Sequence, residues 1–222
     1  MKLGILFSGG KDSTYAAYVA KKQGNELLCL ISLFSENPDS FMFHTPSITK
    51  VKKQAKVMEL PLLTQKTKGI KEDELRDLEK VLKLAIKKYK IQGVISGAIA
   101  SRYQYERIDN ICKKLGIESY TPLWQKDELE YINELIENKF KVIITGVAAY
   151  PLDEKWLGKE INRDFVNKAI DLNNKHKINI IGEGGEFETF VLDCPLFKRS
   201  LKVKDKKISG KNNSWRLEID VE

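Results

Sequence analysis

Residues 3–14 read Leu3-Gly4-Ile5-Leu6-Phe7-Ser8-Gly9-Gly10-Lys11-Asp12-Ser13-Thr14. The apolar run at the front of this stretch predicts a buried strand, and the amphipathic residues after it predict a helix. Two adjacent glycines at the junction let the backbone turn tightly and bring its N–H groups close to a ligand. Because a helix N-terminus carries unpaired N–H groups and a partial positive charge, the stretch predicts a phosphate-binding loop.

The two residues after the glycines narrow the choice of ligand. Lys11 can reach phosphate oxygens, and the carboxylate of Asp12 can hold Mg²⁺ that is bound to the same oxygens. The pattern is not the P-loop, which places four residues between its first glycine and Gly-Lys. Taken by itself, the stretch also fits an ordinary strand, turn and helix.

Apolar segments alternate with amphipathic helices through the first half of the chain. After the first strand, further strands are predicted at 26–34, at Leu62-Leu63, at 94–96 and at 118–120. This β-α alternation predicts an α/β fold with a doubly wound parallel sheet. Ligands on such sheets bind beyond the carboxyl ends of the strands. We therefore expect one cleft to be formed by residues 8–13, 33–44 and 97–103.

The pattern changes after Pro122. Helices are predicted at 126–138 and 162–174 and a strand at 141–147. The last two strands form an antiparallel pair (201–209 and 215–221) joined by a polar turn at 210–213. We therefore expect two domains: a first domain at 1–122 that carries the predicted phosphate-binding loop and a smaller α+β domain at 123–222 that closes over it.

Composition indicates a soluble protein. Charged residues make up 31% of the 222 positions, and no apolar run is long enough to cross a bilayer, so no membrane partner is expected. Met1 leads directly into the first strand, so we expect no cleaved signal. The three widely spaced cysteines predict reduced thiols in a cytoplasmic protein. The net charge of +7 favours an anionic ligand, but no basic helix interleaved with aromatics points to nucleic acid as a direct substrate.

A second informative stretch is Ile181-Gly182-Glu183-Gly184-Gly185-Glu186-Phe187-Glu188-Thr189-Phe190-Val191-Leu192-Asp193-Cys194-Pro195-Leu196-Phe197. Three acidic residues and three glycines fall within residues 182–188, immediately before an apolar strand. Carboxylates this close repel one another unless a cation, a metal or hydrogen-bond donors compensate them. A glycine-rich turn with solvated acids is the alternative.

These motifs resemble those of one known family. Gly-Glu-Gly-Gly-Glu-Phe-Glu-Thr at 182–189, with Val-Leu-Asp-Cys-Pro-Leu-Phe at 191–197, resembles the second-domain motif of the diphthine–ammonia ligases. Ser-Gly-Gly-Lys-Asp-Ser at 8–13 resembles the loop of the N-type ATP pyrophosphatases, the superfamily of those ligases. Tyr105 and Cys194 depart slightly from the family pattern. Further segments similar to the family lie at 40–46, 97–107 and 152–158.

The resemblance implies a fold of the adenine-nucleotide alpha-hydrolase type and an ATP-dependent ligase of diphthamide biosynthesis. Such an enzyme amidates diphthine on translation elongation factor 2 with free ammonium, through an acyl-adenylate, and releases AMP and pyrophosphate. It uses ATP and Mg²⁺, with elongation factor 2 and ammonium as partners. A homo-oligomer is left open.

The resemblance also assigns residues to roles. Catalysis is assigned to Lys11, Asp12, Glu183 and Glu186, with Asp12 as the metal ligand. ATP binding is assigned to Ser8, Gly9, Gly10, Lys11, Asp12, Ser13, Ile31, Leu33, His44, Gly97, Ala98, Ile99 and Arg107. Binding of the protein substrate is assigned to Arg102, Tyr103, Asp153, Lys155, Trp156 and Glu188.

Two other functions stay open at this point. An adenylating enzyme of transfer-RNA modification is supported by the basic charge, although thiolating relatives need paired cysteines and the three here are isolated. A non-catalytic ATP or AMP sensor would use the first loop, but it has no evident use for the second acidic stretch.

Overall fold

The structure is a computed structural model that describes residues 1–35, 48–68, 70 and 73–222. The chain separates into two units, Met1–Trp124 and Gln125–Glu222, each built around a sheet of its own. Among the described residues, no helix combines the length and apolar character needed to span a membrane.

The first unit alternates strands and helices as the sequence predicts. Its elements are β1 (Lys2–Leu6), α1 (Lys11–Lys22), β2 (Glu26–Ser35), α2 (Ile48–Met58), β3 (Leu62–Thr67), α3 (Asp73–Tyr89), β4 (Gly93–Ile95), α4 (Arg102–Leu115) and β5 (Glu118–Tyr120). Pro46, a residue favoured in the first turn of a helix, precedes α2 in the sequence but lies outside the described residues.

All five strands of this unit are parallel, in the order β3-β2-β1-β4-β5. The predicted α/β fold with a parallel sheet is therefore confirmed. From β1 the chain first builds outwards through β2 and β3, and it then returns to the other side of β1 for β4 and β5. The order of the strands thus reverses between β1 and β4, and a doubly wound sheet binds its ligands at this switch point. The loops after β1 and β4 begin there.

Local sequence signals explain the helices of this unit. Gly116 ends α4 in the left-handed conformation, with φ of 68°, which glycine adopts readily at a helix C-terminus. On α3, Lys83 lies 2.7 Å from Glu79, in the favourable order with the carboxylate four residues before the lysine. Cys112 on α4 is fully buried in the hydrophobic core of this unit.

The second unit is an antiparallel sheet with two helices. Its elements are α5 (Glu128–Glu137), β6 (Lys141–Val147), a 3₁₀ turn (Glu154–Trp156), α6 (Arg163–His176), β7 (Phe187–Asp193), β8 (Val203–Lys211) and β9 (Ser214–Val221), with strand order β7-β6-β9-β8. Asp127 and Asn162 cap the two helices by accepting the N–H groups of Glu130 and Phe165. The predicted smaller α+β unit is therefore present.

The final hairpin has a shorter turn than the sequence predicts. Gly210 and Lys211 belong to β8, where they pair with Trp215 and Ser214. The turn therefore consists of Asn212 and Asn213 alone. Asn212 has φ of 55°, and asparagine tolerates this left-handed conformation, so two residues suffice to reverse the chain.

Candidate active site

The loop after β1 presents backbone N–H groups at the switch point. Phe7 donates its N–H to the carbonyl of Ile31 at 2.8 Å, which continues the β1–β2 pairing to the last residue before the loop. Gly9 has φ of 82°, a conformation that favours glycine, and α1 begins two residues later. The N-cap of α1 is Gly10, so no side chain caps this helix. An anion can take the position that a capping side chain would occupy.

Hydroxyl groups hold the loop in this shape. Thr14 donates its Oγ1–H to the carbonyl of Gly10 at 2.8 Å, and Ser13 Oγ lies 3.3 Å from the same oxygen. The hydroxyls of Ser8 and Ser13 are 3.1 Å apart. The predicted loop residues are thus brought together, with Ser8 exposed and Ser13 buried.

Lys11 and Asp12 form an ion pair at the start of α1. Lys11 Nζ lies 2.8 Å from one carboxylate oxygen of Asp12 and 3.0 Å from the other. The Lys11 side chain is 4% exposed, whereas that of Asp12 is 31% exposed. A buried ammonium beside a helix N-terminus strengthens the attraction for phosphate, and the accessible carboxylate can hold a cation at the same place.

The loop after β4 approaches the start of α1 very closely. A Cβ placed on Gly97 would lie 2.7 Å from the Ser13 nitrogen and 2.8 Å from the Asp12 carbonyl carbon. Only glycine fits here, so two of the predicted ATP-binding segments are in contact. The neighbouring Ala98 and Ile99 are buried.

The remaining residues assigned to ATP that the structure describes lie on β2 and α4. Ile31 and Leu33 are buried on β2, next to β1 in the sheet. The Arg107 guanidinium stacks on the Tyr103 ring at 3.4 Å, and Arg102 at the start of α4 is exposed. Among the described residues, no hydrogen-bond partner is found for Arg107 Nε, which is buried. His44 lies outside the described residues.

One buried residue of this site is missed by the sequence analysis. Gln54 on α2 is 0% exposed and donates its Nε2–H to the carbonyl of Gly9 at 2.9 Å. Its signal in the sequence is a polar residue on an apolar helix face, three positions after Val51 and four before Met58.

In the second unit, Asn179 organises the glycine-rich loop before β7. Its Oδ1 accepts the N–H groups of Ile181 at 3.0 Å and of Glu183 at 3.1 Å. Its own N–H is donated to Glu186 Oε1 at 3.0 Å, and its Nδ2 donates to Glu128 Oε1 at 2.6 Å. The acidic loop is therefore a closed, hydrogen-bonded structure. Asn179 was not predicted, and its only sequence signal is a polar residue between two isoleucines.

The three glutamates of this loop have different surroundings. Glu186 is half-buried, and among the described residues its Oε2 is a buried atom without a hydrogen-bond partner. Glu188 is exposed on β7, against Gly146 of β6. Glu183 is half-buried. The loop thus holds Glu186 by Oε1, while the buried Oε2 has no hydrogen-bond partner among the described residues.

Of the segment 153–156, Trp156 joins an apolar cluster that also contains Phe165 and Phe187. Asp153 caps the 3₁₀ turn by accepting the N–H of Lys155 at 3.1 Å. Trp156 packs edge-on against Phe165, with centroids 5.9 Å apart, and Lys159 lies 4.5 Å from its ring. Lys155 is exposed. Trp156 therefore contributes to packing within the second unit.

The cysteines are unsuited to nucleophilic chemistry. Cys29, Cys112 and Cys194 are all buried and free. Burial raises the pKa of each thiol to about 12, and only the thiolate is a good nucleophile. A thiolating reaction that uses these cysteines is therefore disfavoured.

No cluster of three or more potential metal ligands occurs among the residues that the structure describes. A magnesium ion bound chiefly by phosphate oxygens and water needs only one or two carboxylates from the protein. The accessible carboxylate of Asp12, beside an anion-binding loop, fits that kind of site.

Comparison with known proteins gives matches along the whole chain. The diphthamide synthase N-terminal domain matches residues 1–119, and the diphthamide synthase C-terminal domain matches residues 127–220. The diphthine–ammonia ligase of Mus musculus is 36% identical over 222 residues, covering 91% of this chain and 83% of the mouse protein. That of Homo sapiens is 34% identical over 227 residues, covering 94% of this chain and 85% of the human protein.

A solved structure is also similar in part. It is described as a predicted subunit of tRNA methyltransferase from Methanocaldococcus jannaschii. The TM-score is 0.48 at 17% identity, covering 88% of this chain and 98% of that chain. No conclusion about function follows from a likeness of this size.

Proposed function

Because this chain belongs to the diphthamide synthase family of diphthine–ammonia ligases, we propose that it amidates diphthine on translation elongation factor 2 through an acyl-adenylate. The resemblance expected from the motifs is confirmed at the level of the family. The chain is an ATP-dependent carbon–nitrogen ligase, and its reaction is the amidation that makes diphthamide. The adenylate, the protein substrate and the residue roles below are the proposal.

The chemistry explains why ATP is needed. A carboxylate is a poor acyl donor, because its leaving group would be oxide. In the proposed reaction, a carboxylate oxygen of diphthine attacks the α-phosphorus of ATP, and the bond to the β-phosphate oxygen breaks to release pyrophosphate. Ammonia then attacks the acyl carbon, loses a proton and displaces AMP. The original carboxylate oxygen leaves with AMP.

The loop at 8–13 is the proposed site for the ATP phosphates. Its uncapped helix N-terminus and the buried ammonium of Lys11 would stabilise the charge that grows on pyrophosphate as it leaves. Asp12 would hold Mg²⁺, which neutralises phosphate charge when bound. Adenosine would lie along Ile31, Leu33 and the 97–99 loop. We also propose that Arg107 contacts a phosphate and that His44 contributes to ATP binding.

The glutamate loop of the second unit is the proposed site for ammonium. The nucleophile is NH₃ and not NH₄⁺, so a proton must be removed within the site. Glu186 and Glu183 have carboxylates suited to orienting ammonium and accepting that proton. Contacts to the protein substrate are assigned to Arg102, Tyr103, Asp153, Lys155, Trp156 and Glu188.

One observation carries this proposal: the glycine loop with Lys11 and Asp12 lies at the switch point of a doubly wound sheet and touches Gly97. The thiol burial described above argues against the thiolating alternative. We propose that the reaction takes place in the cytoplasm, with no membrane and no direct nucleic-acid substrate. The association state of the chain is left open.

An oxygen-transfer experiment tests the mechanism. Elongation factor 2 carrying diphthine labelled with ¹⁸O in its carboxylate is incubated with the enzyme, ATP, Mg²⁺ and ammonium. We expect one ¹⁸O atom in AMP, unlabelled pyrophosphate and a requirement for ammonium for net amidation. Release of ADP with ¹⁸O in orthophosphate would instead establish an acyl-phosphate and refute the adenylate.

Two controls separate the other functions. Replacing the elongation factor with transfer RNA tests the alternative substrate, and AMP release with transfer RNA alone would contradict our proposal. ATP binding without AMP release under any of these conditions would indicate a sensor. Unmodified elongation factor 2, which lacks diphthine, serves as the matched negative substrate.

A further inference from the structure

Three carbonyl groups in the phosphate loop or directly before it accept hydrogen bonds from donors of the protein. Ser32 on β2 donates its hydroxyl to the carbonyl of Phe7 at 2.5 Å, and Gln54 on α2 donates to that of Gly9 at 2.9 Å. The carbonyl of Gly10 accepts the hydroxyl of Thr14. A loop that binds a polyanion must keep carbonyl oxygens away from it, because their partial negative charges would repel phosphate.

We propose that Gln54 is a positioning residue that sets the direction of the peptide between Gly9 and Gly10 for ATP binding. In a trans peptide, the carbonyl oxygen and the next N–H point in opposite directions. With the Gly9 oxygen held by Gln54, the N–H of Gly10 points away from α2. That N–H is donated to the Oγ of Ser8, an exposed residue at the start of the loop, at 3.3 Å. The inference rests on the proposed placement of ATP at this loop.

The hydrogen bond matters here because two glycines flank this peptide. Gly9 has φ of 82°, and glycine reaches positive and negative φ about equally well, so the peptide can rotate at low cost when nothing holds it. A Cβ on Gly9 would also overlap Gln54 Oε1. Gln54 therefore lies directly against Gly9, one of the two glycines about which this peptide can rotate.

The contact spans 45 positions in the chain and is fully buried. It ties the loop to α2. The other two carbonyl hydrogen bonds described above come from Ser32 on β2 and Thr14 on α1. Gln54 thus acts through the backbone of Gly9 and needs no contact with the nucleotide. Its loss should weaken ATP binding while leaving the use of ammonium unchanged.

The substitution Gln54→Met tests the proposal because methionine keeps the length and volume of the side chain but removes the donor. We expect the Kd of ATP, measured by calorimetry without the other substrates, to rise roughly threefold to tenfold, the effect of one net hydrogen bond. The KM for ammonium at saturating ATP should not change. In Gln54→Glu, a carboxylate would face the Gly9 carbonyl, and ATP binding should fall further.

The matched control is Val51→Ala, one turn earlier on the same helix and also 0% exposed. It leaves a cavity and should lower the melting temperature without changing the Kd of ATP. If Val51→Ala and Gln54→Met weaken ATP binding equally for equal losses of thermal stability, Gln54 has only a structural role and the proposal is wrong.

A loop variant separates this inference from the proposed function. Lys11→Ala should weaken ATP binding if the phosphates lie at this loop. If Lys11→Ala weakens binding and Gln54→Met does not, only the positioning role is refuted. If neither variant changes the Kd, ATP binds elsewhere and both proposals are wrong.

Discussion

Replacing Gly97 by alanine should separate ATP binding from folding. The added Cβ would lie 2.7 Å from the Ser13 nitrogen, 2.8 Å from the Asp12 carbonyl carbon and 3.0 Å from the Asp12 oxygen. Ordinary Cβ contacts begin near 3.4 Å, so the nearest atom must move by roughly 0.7 Å. All three atoms belong to the backbone and cannot swing aside as a side chain would.

The size of the effect follows from this overlap. Overpacking of a tight contact costs about 1–3 kcal/mol. Ser8 is exposed, although Gly9 and Lys11 beside it are buried, so we expect the strain to be relieved on the Ser8 side by moving the loop and the first turn of α1. A shift of that size takes N–H groups out of hydrogen-bond range of a phosphate. A loss of about 2 kcal/mol in binding raises the Kd of ATP about 25-fold, at 1.4 kcal/mol for each factor of ten.

The assay is calorimetric titration with ATP, together with thermal unfolding of the same samples. Gly24→Ala is the control, because Gly24 has a positive φ of 84° but its Cβ would meet nothing within 4 Å. That variant should lose about 1–2 kcal/mol of stability through backbone strain and bind ATP normally. Wild-type affinity in Gly97→Ala would refute the claim that the contact between these loops shapes the ATP site.

Three other predictions concern single groups. Asp12→Asn keeps an oxygen that can accept a hydrogen bond from Lys11, so the fold should persist while AMP formation falls at least 100-fold. Near-normal turnover at every magnesium concentration would show that Asp12 does not hold the metal. Glu186→Gln keeps an oxygen that can accept the Asn179 N–H, so ATP binding should be normal while ammonium-dependent turnover is lost. A raised Kd for ATP would instead assign Glu186 to the nucleotide site. The buried thiols have pKa values raised from 9.0 to about 12, so the stabilisation from their neutral forms is complete below pH 9 and is lost as the pH rises from 9 towards 12. Urea unfolding at several alkaline pH values should show a steeper loss of stability in the wild type than in Cys112→Ala, and equal slopes would contradict this.

Much of the first unit is predictable because its signals are local. The glycines after β1, the apolar run of β2 and the cap at Gly116 each act within a few residues, so chain position is enough to interpret them. The acidic stretch before β7 is also visible in the sequence. Its likeness to a known motif gives the family, although that likeness does not give the geometry of the loop.

The parts of the site that were missed depend on contacts between distant residues. Gln54 is 45 positions from Gly9, and Asn179 is 51 positions from Glu128. A polar residue on an apolar face marks a buried hydrogen bond but not its partner. The partner is known only when the helices and loops are packed.

By itself, the sequence determined where strands and helices form, which loop can bind phosphate and which family the motifs resemble. Periodicity, capping and glycine flexibility operate over a few neighbouring residues, so these features need no packing. Only the tertiary structure decided the order of the sheet, the burial of Lys11 and the contacts of Gly97 and Gln54 with the loop. These arise when segments far apart in the chain are packed together, because burial and hydrogen-bond direction depend on the neighbours that packing supplies.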